Sequence, residues 1–196
     1  MRFDQKLLLE NKAWASQKTL GDTDYFLRLS KGQSPSVLWV GCSDSRVPAE
    51  DITNSSPGEV FVHRNIGNQV QKDDPNALSV VEYAVSVLKV RHVVVCGHYE
   101  CGGMRAALGM DEMSGSLAVW LSKIRRTCEN ELPSLRVIDD KEHGANLLAE
   151  KNVLHQVQNL MSFDFIRKGV TDGSLLLHGW IFDMKSGLLK DLTGTK

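Results

Sequence analysis

Three potential metal ligands stand out in the sequence, namely Cys42, His98 and Cys101. Only two residues separate His98 from Cys101, and this spacing lets an imidazole and a thiolate point at one ion. A short match of this kind arises often by chance, so it is weak evidence alone. Cys42 strengthens it, because the surrounding sequence predicts that Cys42 ends another strand at the same edge of a sheet. Two thiolates and an imidazole leave a fourth tetrahedral position for water or substrate, which is typical of catalytic zinc.

A carboxylate and a guanidinium follow the first of these cysteines, at Asp44 and Arg46. Taken singly, Asp44 would be a helix N-cap and Arg46 a surface cation. Beside a metal, a carboxylate that accepts a hydrogen bond from water would help to orient the nucleophile. The guanidinium would hold that carboxylate in a bidentate pair and keep it from coordinating zinc. The two residues together therefore indicate a catalytic centre.

The elements that must position these residues alternate between strands and helices. Short apolar runs predict four strands, at residues 37–40, 60–62, 93–96 and 175–177. Apolar residues at helical spacing predict helices at 76–90 and 141–168, and a pair of glycines predicts a short helix from residue 102. A closing strand pair is predicted at 181–182 and 188–189, with its turn at 185–187.

This alternation predicts an α/β fold with a mainly parallel central sheet flanked by helices. Ligands of such sheets bind beyond the carboxyl ends of the strands, where Cys42 and His98 both fall. We find no repeat, low-complexity segment or linker, so residues 1–196 are predicted to form one domain. The polar stretch at 111–115 is a loop candidate.

An N-terminal helical arm, residues 1–34, precedes the first predicted strand. Its first amphipathic segment carries apolar residues at 7–9 and Trp14, and its second carries them at 25, 26 and 29. We expect the second helix to begin at Asp22 or Thr23, which are suitable N-cap residues.

Composition narrows the classes of function. The chain has 196 residues, 42% of them hydrophobic, and its formal net charge of -1 comes from interspersed charges. It therefore offers no basic stripe for nucleic acid and no polybasic patch for a membrane. The N-terminal apolar run is interrupted by acids and amides, unlike a signal peptide, and no stretch is long enough to span a bilayer. We expect a cytoplasmic protein with neither nucleic-acid nor membrane partners.

Four cysteines in such a chain argue against a disulfide framework. Cys96 lies within a predicted strand and is interpreted as a small buried hydrophobe, and Cys128 as an ordinary thiol. The remaining histidines lack a partner at ligand spacing, and His178 is interpreted as a structural residue at a strand end. These histidines are His63, His92, His143, His155 and His178.

The combination of Cys-Ser-Asp-Ser-Arg at residues 42–46 and Gly-His-x-x-Cys-Gly-Gly at residues 97–103 resembles the signature of the β-carbonic anhydrases. Further matches lie at 62–65, 82–84 and 178–180, so the resemblance extends from about Trp39 to Trp180. It implies that the chain hydrates carbon dioxide to bicarbonate, reversibly, as a homodimer or homotetramer. The N-terminal helices would wrap around a neighbouring subunit.

The resemblance also assigns roles in the site. It implies Zn²⁺ held by Cys42, His98 and Cys101. It implies a catalytic dyad of Asp44 and Arg46, with Asp44 as a fourth zinc ligand in a closed form. The implied substrate-binding positions are the hydrogen-bond donor Gln33, the apolar residues Phe61, Ile66 and Tyr83, and Gly102.

Some members of this family have a second, inhibitory bicarbonate site formed by a Trp, an Arg and a Tyr. Trp39 and Arg64 match the first two positions, but Phe182 stands at the third and lacks the phenolic hydroxyl. One interpretation is a retained but weak site for bicarbonate. The other is that Trp39 packs in the core and Arg64 pairs with a nearby acid.

Two alternative functions stay open. The same fold and metal could hydrolyse carbon disulfide or carbonyl sulfide, and access to the pocket would decide between these substrates and carbon dioxide. Alternatively, the protein could be a non-enzymatic structural or redox zinc module, in which Cys42 and Cys101 release metal on oxidation. Asp44 and Arg46 would have no task in such a module.

Overall fold

The computed structural model describes residues 1–109 and 113–194. The chain divides into two compact units, Met1–Ser34 and Pro35–Lys196. That the two units make a single domain stays a prediction. The loop predicted at 111–115 lies partly outside the described residues.

The N-terminal unit contains two helices, α1 (Phe3–Gly21) and α2 (Tyr25–Leu29). Neither helix has a buried residue. The predicted start of the second helix was wrong, because Asp24 rather than Asp22 or Thr23 precedes its first turn. The Asp22 carboxylate instead binds the Arg28 guanidinium and the main-chain N–H of Asp24.

The second unit is built on a five-stranded sheet in the order β2-β1-β3-β4-β5. Its strands are β1 (Val37–Cys42), β2 (Val60–Asn65), β3 (His92–His98), β4 (Leu176–Asp183) and β5 (Leu188–Asp191). The first four strands are parallel, and β5 pairs antiparallel with β4. Because β1 and β3 lie inside the sheet and are covered on both faces, their sequences are nearly continuous apolar runs. The predicted mainly parallel α/β fold is confirmed.

Helices connect the parallel strands, because parallel strands need a crossover connection. They are α3 (Ala49–Thr53), α4 (Pro75–Glu82), which continues into a π-helical turn at Tyr83–Val87, α5 (Gly102–Gly109), α6 (Gly115–Thr127), α7 (Leu132–Arg136), α8 (Lys141–Met161) and α9 (Asp164–Thr171). Asp74 and Asp140 cap α4 and α8 by accepting hydrogen bonds from main-chain N–H groups of the first turn. Among the helices of the described residues, none is both long and apolar enough to cross a membrane.

Two other boundary predictions were also wrong. The single helix predicted at 141–168 is two helices, because the backbone of Phe163 is extended between α8 and α9. The separate strands predicted at 175–177 and 181–182 are one strand, because the residues between them pair with β3 from Val94 to Cys96. The local pattern shows neither the extended residue nor the strand pairing.

Helix α8 approaches the sheet closely where β3 and β4 carry glycines. A Cβ atom at Gly97 would come within 2.8 Å of Val153 Cγ2, and one at Gly179 within 3.1 Å of Val153 Cγ1. Both contacts are tighter than normal packing allows, so glycine permits the close approach. This packing fixes α8 beside the carboxyl end of β3.

The loop after β2 is also tied to α8, by buried amides. Asn152 donates to the carbonyl of Gly67 at 2.9 Å, and Gln156 accepts from the N–H of Val70 at 2.8 Å. Both amide side chains are fully buried, so these bonds satisfy loop groups that would otherwise lack water. The carboxyl ends of β2 and β3 therefore share one helical support.

His63 on β2 is buried in a hydrogen-bond arrangement that accepts only its neutral form. The Asn65 side chain exchanges two hydrogen bonds with the main chain of Gln69, which directs its amide nitrogen toward His63 Nε2 at 3.0 Å. Because an amide nitrogen only donates, Nε2 must accept and carry no proton. Burial accordingly lowers the pKa of His63, against the opposing charge of Asp74.

We expect His63 to make the fold less stable as the pH falls below the ordinary histidine pKa of about 6.5. Its contribution is complete above that pKa and declines toward the lowered pKa of the folded state, because only the unfolded chain takes up the proton. His63→Gln keeps an acceptor that does not titrate. Its urea unfolding midpoint should therefore fall less than that of the wild type between about pH 7.5 and about pH 5.5. Equal falls in the two proteins would contradict this assignment.

Candidate metal centre

The parallel pairing of β1 with β3 brings the three predicted ligands together. Cys42 is the last residue of β1 and His98 the last of β3, and Gly41 pairs with Cys96. Cys101 follows on the loop that leads into α5. The ligand atoms of the three residues lie within 4.8 Å of one another, and the two sulfur atoms are 4.0 Å apart. All three side chains are buried.

A main-chain contact orients the imidazole of His98. Its Nδ1 lies 2.8 Å from the carbonyl oxygen of Tyr99, which only accepts, so Nδ1 carries the proton. The other ring nitrogen, Nε2, is buried and has no hydrogen-bond partner among the described residues. A buried nitrogen with a free lone pair beside two sulfur atoms fits a metal ligand, and a hydrogen-bonded Nδ1 is the usual support for one.

The two cysteines cannot both ionise easily without a cation. The neighbouring Cys101 lowers the pKa of the Cys42 thiol, and main-chain N–H groups of Gly67 and Asp44 also favour the thiolate. The same contact with Cys42, together with burial, raises the pKa of Cys101. A divalent cation would offset the repulsion between two thiolates, and two sulfurs with one imidazole are a donor set suited to Zn²⁺.

The charge of this centre also affects His98. Burial is the largest single effect and lowers its pKa, but the neighbouring Cys42 thiolate and the Tyr99 carbonyl outweigh it, so the pKa is raised. Metal binding requires the neutral imidazole with a free Nε2. Metal and proton therefore compete at this atom.

The structure pairs Asp44 with Arg46 beside the ligands. Arg46 donates from Nε to Asp44 Oδ1 at 2.9 Å and from Nη2 to Oδ2 at 2.7 Å. This bidentate contact holds the pKa of Asp44 well below its usual range. Asp44 Oδ2 lies 3.9 Å from His98 Nε2. An ionised carboxylate is thus fixed at the edge of the candidate metal site.

Arg64 supports the loop that carries Asp44. Its Nε donates to the carbonyl oxygen of Cys42 at 2.8 Å, and its Nη2 donates to the carbonyl of Asp44. The sequence analysis missed this role, because the local sequence pattern does not show that Arg64 would bind main-chain carbonyls. The sequence analysis also missed the main-chain N–H of Gly67, which favours the Cys42 thiolate. The available signal was the presence of a glycine, and its φ of +79° is a conformation that glycine adopts readily.

The residues of the predicted second bicarbonate site have other contacts. Trp39 is 3% exposed and packs edge to face against Trp180, with ring centroids 6.1 Å apart. Phe182 is also buried. Trp39 therefore packs in the core, as the second interpretation expects, but Arg64 contacts main-chain carbonyls rather than the side chain of a nearby acid. Bicarbonate binding at this position stays a prediction.

The predicted substrate positions lie at both ends of β2: Ile66 directly follows its last residue, whereas Phe61 is its second residue and lies near the amino end. The rings of Phe61 and Tyr83 are 5.8 Å apart. Ile66 is 40% exposed and covers Gly103, where a Cβ atom would lie 3.0 Å from Ile66 Cγ2. Around Gly102 the corresponding space is open. These positions therefore offer an apolar, partly exposed surface.

Gln33 belongs to the N-terminal unit, so its contact with substrate stays a prediction. Cys96 and Cys128 are buried outside the cluster, and burial raises the pKa of the Cys128 thiol to about 12. His178 lies within β4 rather than at a strand end, and its Nε2 is 3.0 Å from His92 Nδ1. The sequence analysis did not anticipate this pair.

The sequence model of one known family, described as carbonic anhydrase, matches residues 37–189. A carbonic anhydrase of Emericella nidulans is 44% identical over 188 residues, which cover 95% of this chain and 82% of that protein. A carbonic anhydrase of Candida albicans is 36% identical over 163 residues, which cover 83% of this chain and 58% of the relative.

Solved structures agree with the sequence comparisons. A β-carbonic anhydrase of Sordaria macrospora, one of two described as tetrameric, superimposes with a TM-score of 0.93 at 40% identity over 96% of both chains. The β-carbonic anhydrase of Coccomyxa, solved in complex with acetazolamide, gives a TM-score of 0.89 at 35% identity and covers 95% of this chain and 85% of its own. Sequence and fold therefore indicate the same family.

We predict that Cys42→Ser abolishes tight zinc binding, because a serine hydroxyl does not replace a thiolate as a soft ligand. Elemental analysis after gel filtration should find one zinc per chain in the wild type and almost none in the variant. Cys128→Ala, which removes a buried thiol outside the cluster, is the matched control and should keep its zinc. Full zinc content in Cys42→Ser would contradict the assignment.

Proposed function

The chain belongs to the β-carbonic anhydrase family, and from this premise we propose that it catalyses the zinc-dependent, reversible hydration of carbon dioxide to bicarbonate and a proton. One observation carries the proposal. An ionised carboxylate, held by Arg46, lies 3.9 Å from the metal-facing nitrogen of His98. A purely structural zinc site has no use for such a carboxylate.

Cys42, His98 and Cys101 would hold the zinc ion. When bound, Zn²⁺ would supply Lewis-acid chemistry that lowers the pKa of a water molecule from about 15.7 toward about 7. The two thiolates would balance the charge of the zinc ion, while the Tyr99 carbonyl keeps the His98 ring in the tautomer that leaves Nε2 free.

Asp44 would orient the attacking water by accepting its hydrogen bond. The pKa of Asp44 is held low, so the carboxylate is ionised at neutral pH and only accepts. Arg46 engages both carboxylate oxygens, which favours this role over coordination of the metal in a closed form. Arg64 fixes the main chain on either side of Ser43, so the carboxylate is presented from a supported loop.

Carbon dioxide is apolar and uncharged, and the lining around the carboxyl end of β2 suits it. Ile66 would form part of that lining, and the open space at Gly102 would leave room for substrate. Phe61 and Tyr83, which pack together near the amino end of β2, would line the pocket across a subunit interface. Gln33 would donate a hydrogen bond to a substrate oxygen. The active protein would be a homodimer or homotetramer, as the tetrameric relative suggests.

We predict that Asp44→Asn and Arg46→Ala keep their zinc and lose hydration activity by about 10- to 100-fold, because each breaks the pair that orients water. Stopped-flow assays of carbon dioxide hydration, normalised to bound zinc, would measure this. Asp164→Asn and Arg167→Ala disrupt another Asp–Arg pair, on α9, and should retain wild-type activity.

Two outcomes would count against the proposal. Wild-type activity per zinc in both dyad variants would mean that Asp44 and Arg46 form only a turn and a surface contact. Sulfide release from carbon disulfide or carbonyl sulfide by a wild type that does not hydrate carbon dioxide would assign the same site to a different hydrolysis.

The N-terminal unit allows a separate test of assembly. Leu8 is 67% exposed and Leu20 86% exposed on α1, as expected of a helix that contacts another subunit. We predict that replacing both by Glu reduces the mass measured by light scattering from a dimer or tetramer to a smaller species. Asn11→Glu with Gln17→Glu, at exposed polar positions of the same helix, is the charge-matched control. An unchanged mass in the leucine variant would exclude these residues from the interface.

A further inference from the structure

One of the two residues between His98 and Cys101 adopts a backbone conformation that its residue type does not favour. Glu100 has φ of +59°, in the left-handed region that residues with a Cβ atom rarely occupy. This turn of the backbone lies between the two ligands, so it determines how His98 and Cys101 face each other. Some contact must hold Glu100 in place.

Helix α8 supplies that contact. The N–H of Glu100 donates to Asn146 Oδ1 at 2.7 Å. One helical turn later, the Glu150 carboxylate accepts a hydrogen bond from the Tyr99 hydroxyl, and Lys190 donates to it at 3.0 Å. Residues at i and i+4 of one helix face therefore hold both residues of the segment.

The segment of Tyr99 and Glu100 contacts or adjoins both candidate ligands and the Asp44–Arg46 pair. The carbonyl of Tyr99 orients His98, and Cys101 directly follows Glu100. The carbonyl of Glu100 lies 3.4 Å from Arg46 Nη2, which pairs with Asp44. A shift of the Glu100 peptide would therefore displace a ligand and loosen the arginine together.

Other contacts of Glu100 do not restrain its main-chain N–H. Its side chain pairs with Lys185 at 3.1 Å, but that lysine is 77% exposed, so the pair is weak and mobile. Asn146 is half-buried on a helix that packs closely against Gly97 through Val153. The rigid partner of the Glu100 N–H is therefore Asn146.

We propose that Asn146 is a positioning residue of the metal centre: its side-chain oxygen holds the Glu100 peptide in the left-handed conformation that directs His98 and Cys101 at one ion. This inference rests on the zinc site of the proposed function. It does not depend on the reaction, so zinc retention tests it without an activity assay.

Asn146→Leu removes the acceptor at similar volume, and Asn146→Asp keeps it. Transfer of zinc to a coloured chelator should be about 10- to 100-fold faster from the leucine variant than from the wild type, and close to the wild-type rate from the aspartate variant. In the cobalt-substituted proteins, the absorption bands of the leucine variant should shift while those of the aspartate variant do not. Asn146→Ala replaces the leucine variant if leucine prevents folding.

A second substitution separates backbone holding from plain packing. Glycine adopts the left-handed conformation without steric cost, so Glu100→Gly combined with Asn146→Leu should restore slower zinc loss. If Asn146→Leu instead acted by disturbing the packing of α8, Glu100→Gly would not slow the loss of zinc. Asn159→Leu, on the same helix as Asn146, is the matched control because it breaks a hydrogen bond to the carbonyl of Val70. It should lower stability without accelerating zinc loss.

Equal rates of zinc loss and identical cobalt spectra in the wild type and Asn146→Leu would overturn the proposal, and so would a double variant that is not rescued. A wild type that retains zinc but does not hydrate carbon dioxide would instead refute the proposed function, and the role of Asn146 would stand.

Discussion

The parallel pairing of β1 with β3 is the constraint on which the rest of the site depends. The register of Gly41 with Cys96 ends both strands at one sheet edge, and so places Cys42 beside His98. A slip by one residue would turn each ligand to the opposite face of the sheet. Gly97 preserves this register under α8, because a side chain there would collide with Val153. Backbone pairing thus sets how close Cys42 lies to His98.

Once the ligands meet, charge governs the arrangement around them. Two thiols 4.0 Å apart and an unpartnered imidazole nitrogen make a buried site that a dication would stabilise. Outside this centre, Arg46 and Arg64 neutralise and support the loop that carries Asp44. The carboxylate therefore remains ionised and lies 3.9 Å from His98 Nε2. In the proposed function, the groups that would bind the metal are thus separate from the group that would orient water.

The sequence predicted which candidate ligands come together, but it did not predict the residues that hold their loops in place. Cys42, His98 and Cys101 could be found because strand periodicity and glycines show where strands end, and strand ends of a parallel sheet converge. The contacts of Arg64 and Asn146 could not, since they join residues far apart in sequence through main-chain atoms that any residue type possesses. The same limit explains the helix boundary at Phe163 and the pairing of His92 with His178, which both depend on tertiary packing rather than on a local pattern.

In the function proposed above, a Cys–His–Cys zinc centre in this chain hydrates carbon dioxide. The most direct measurement removes zinc with a chelator, restores it in known amounts, and follows carbon dioxide hydration by stopped flow at each zinc content. We expect a rate that rises in proportion to bound zinc and saturates at one zinc per chain. Hydration no faster than the buffer rate in protein that holds one zinc per chain would contradict it.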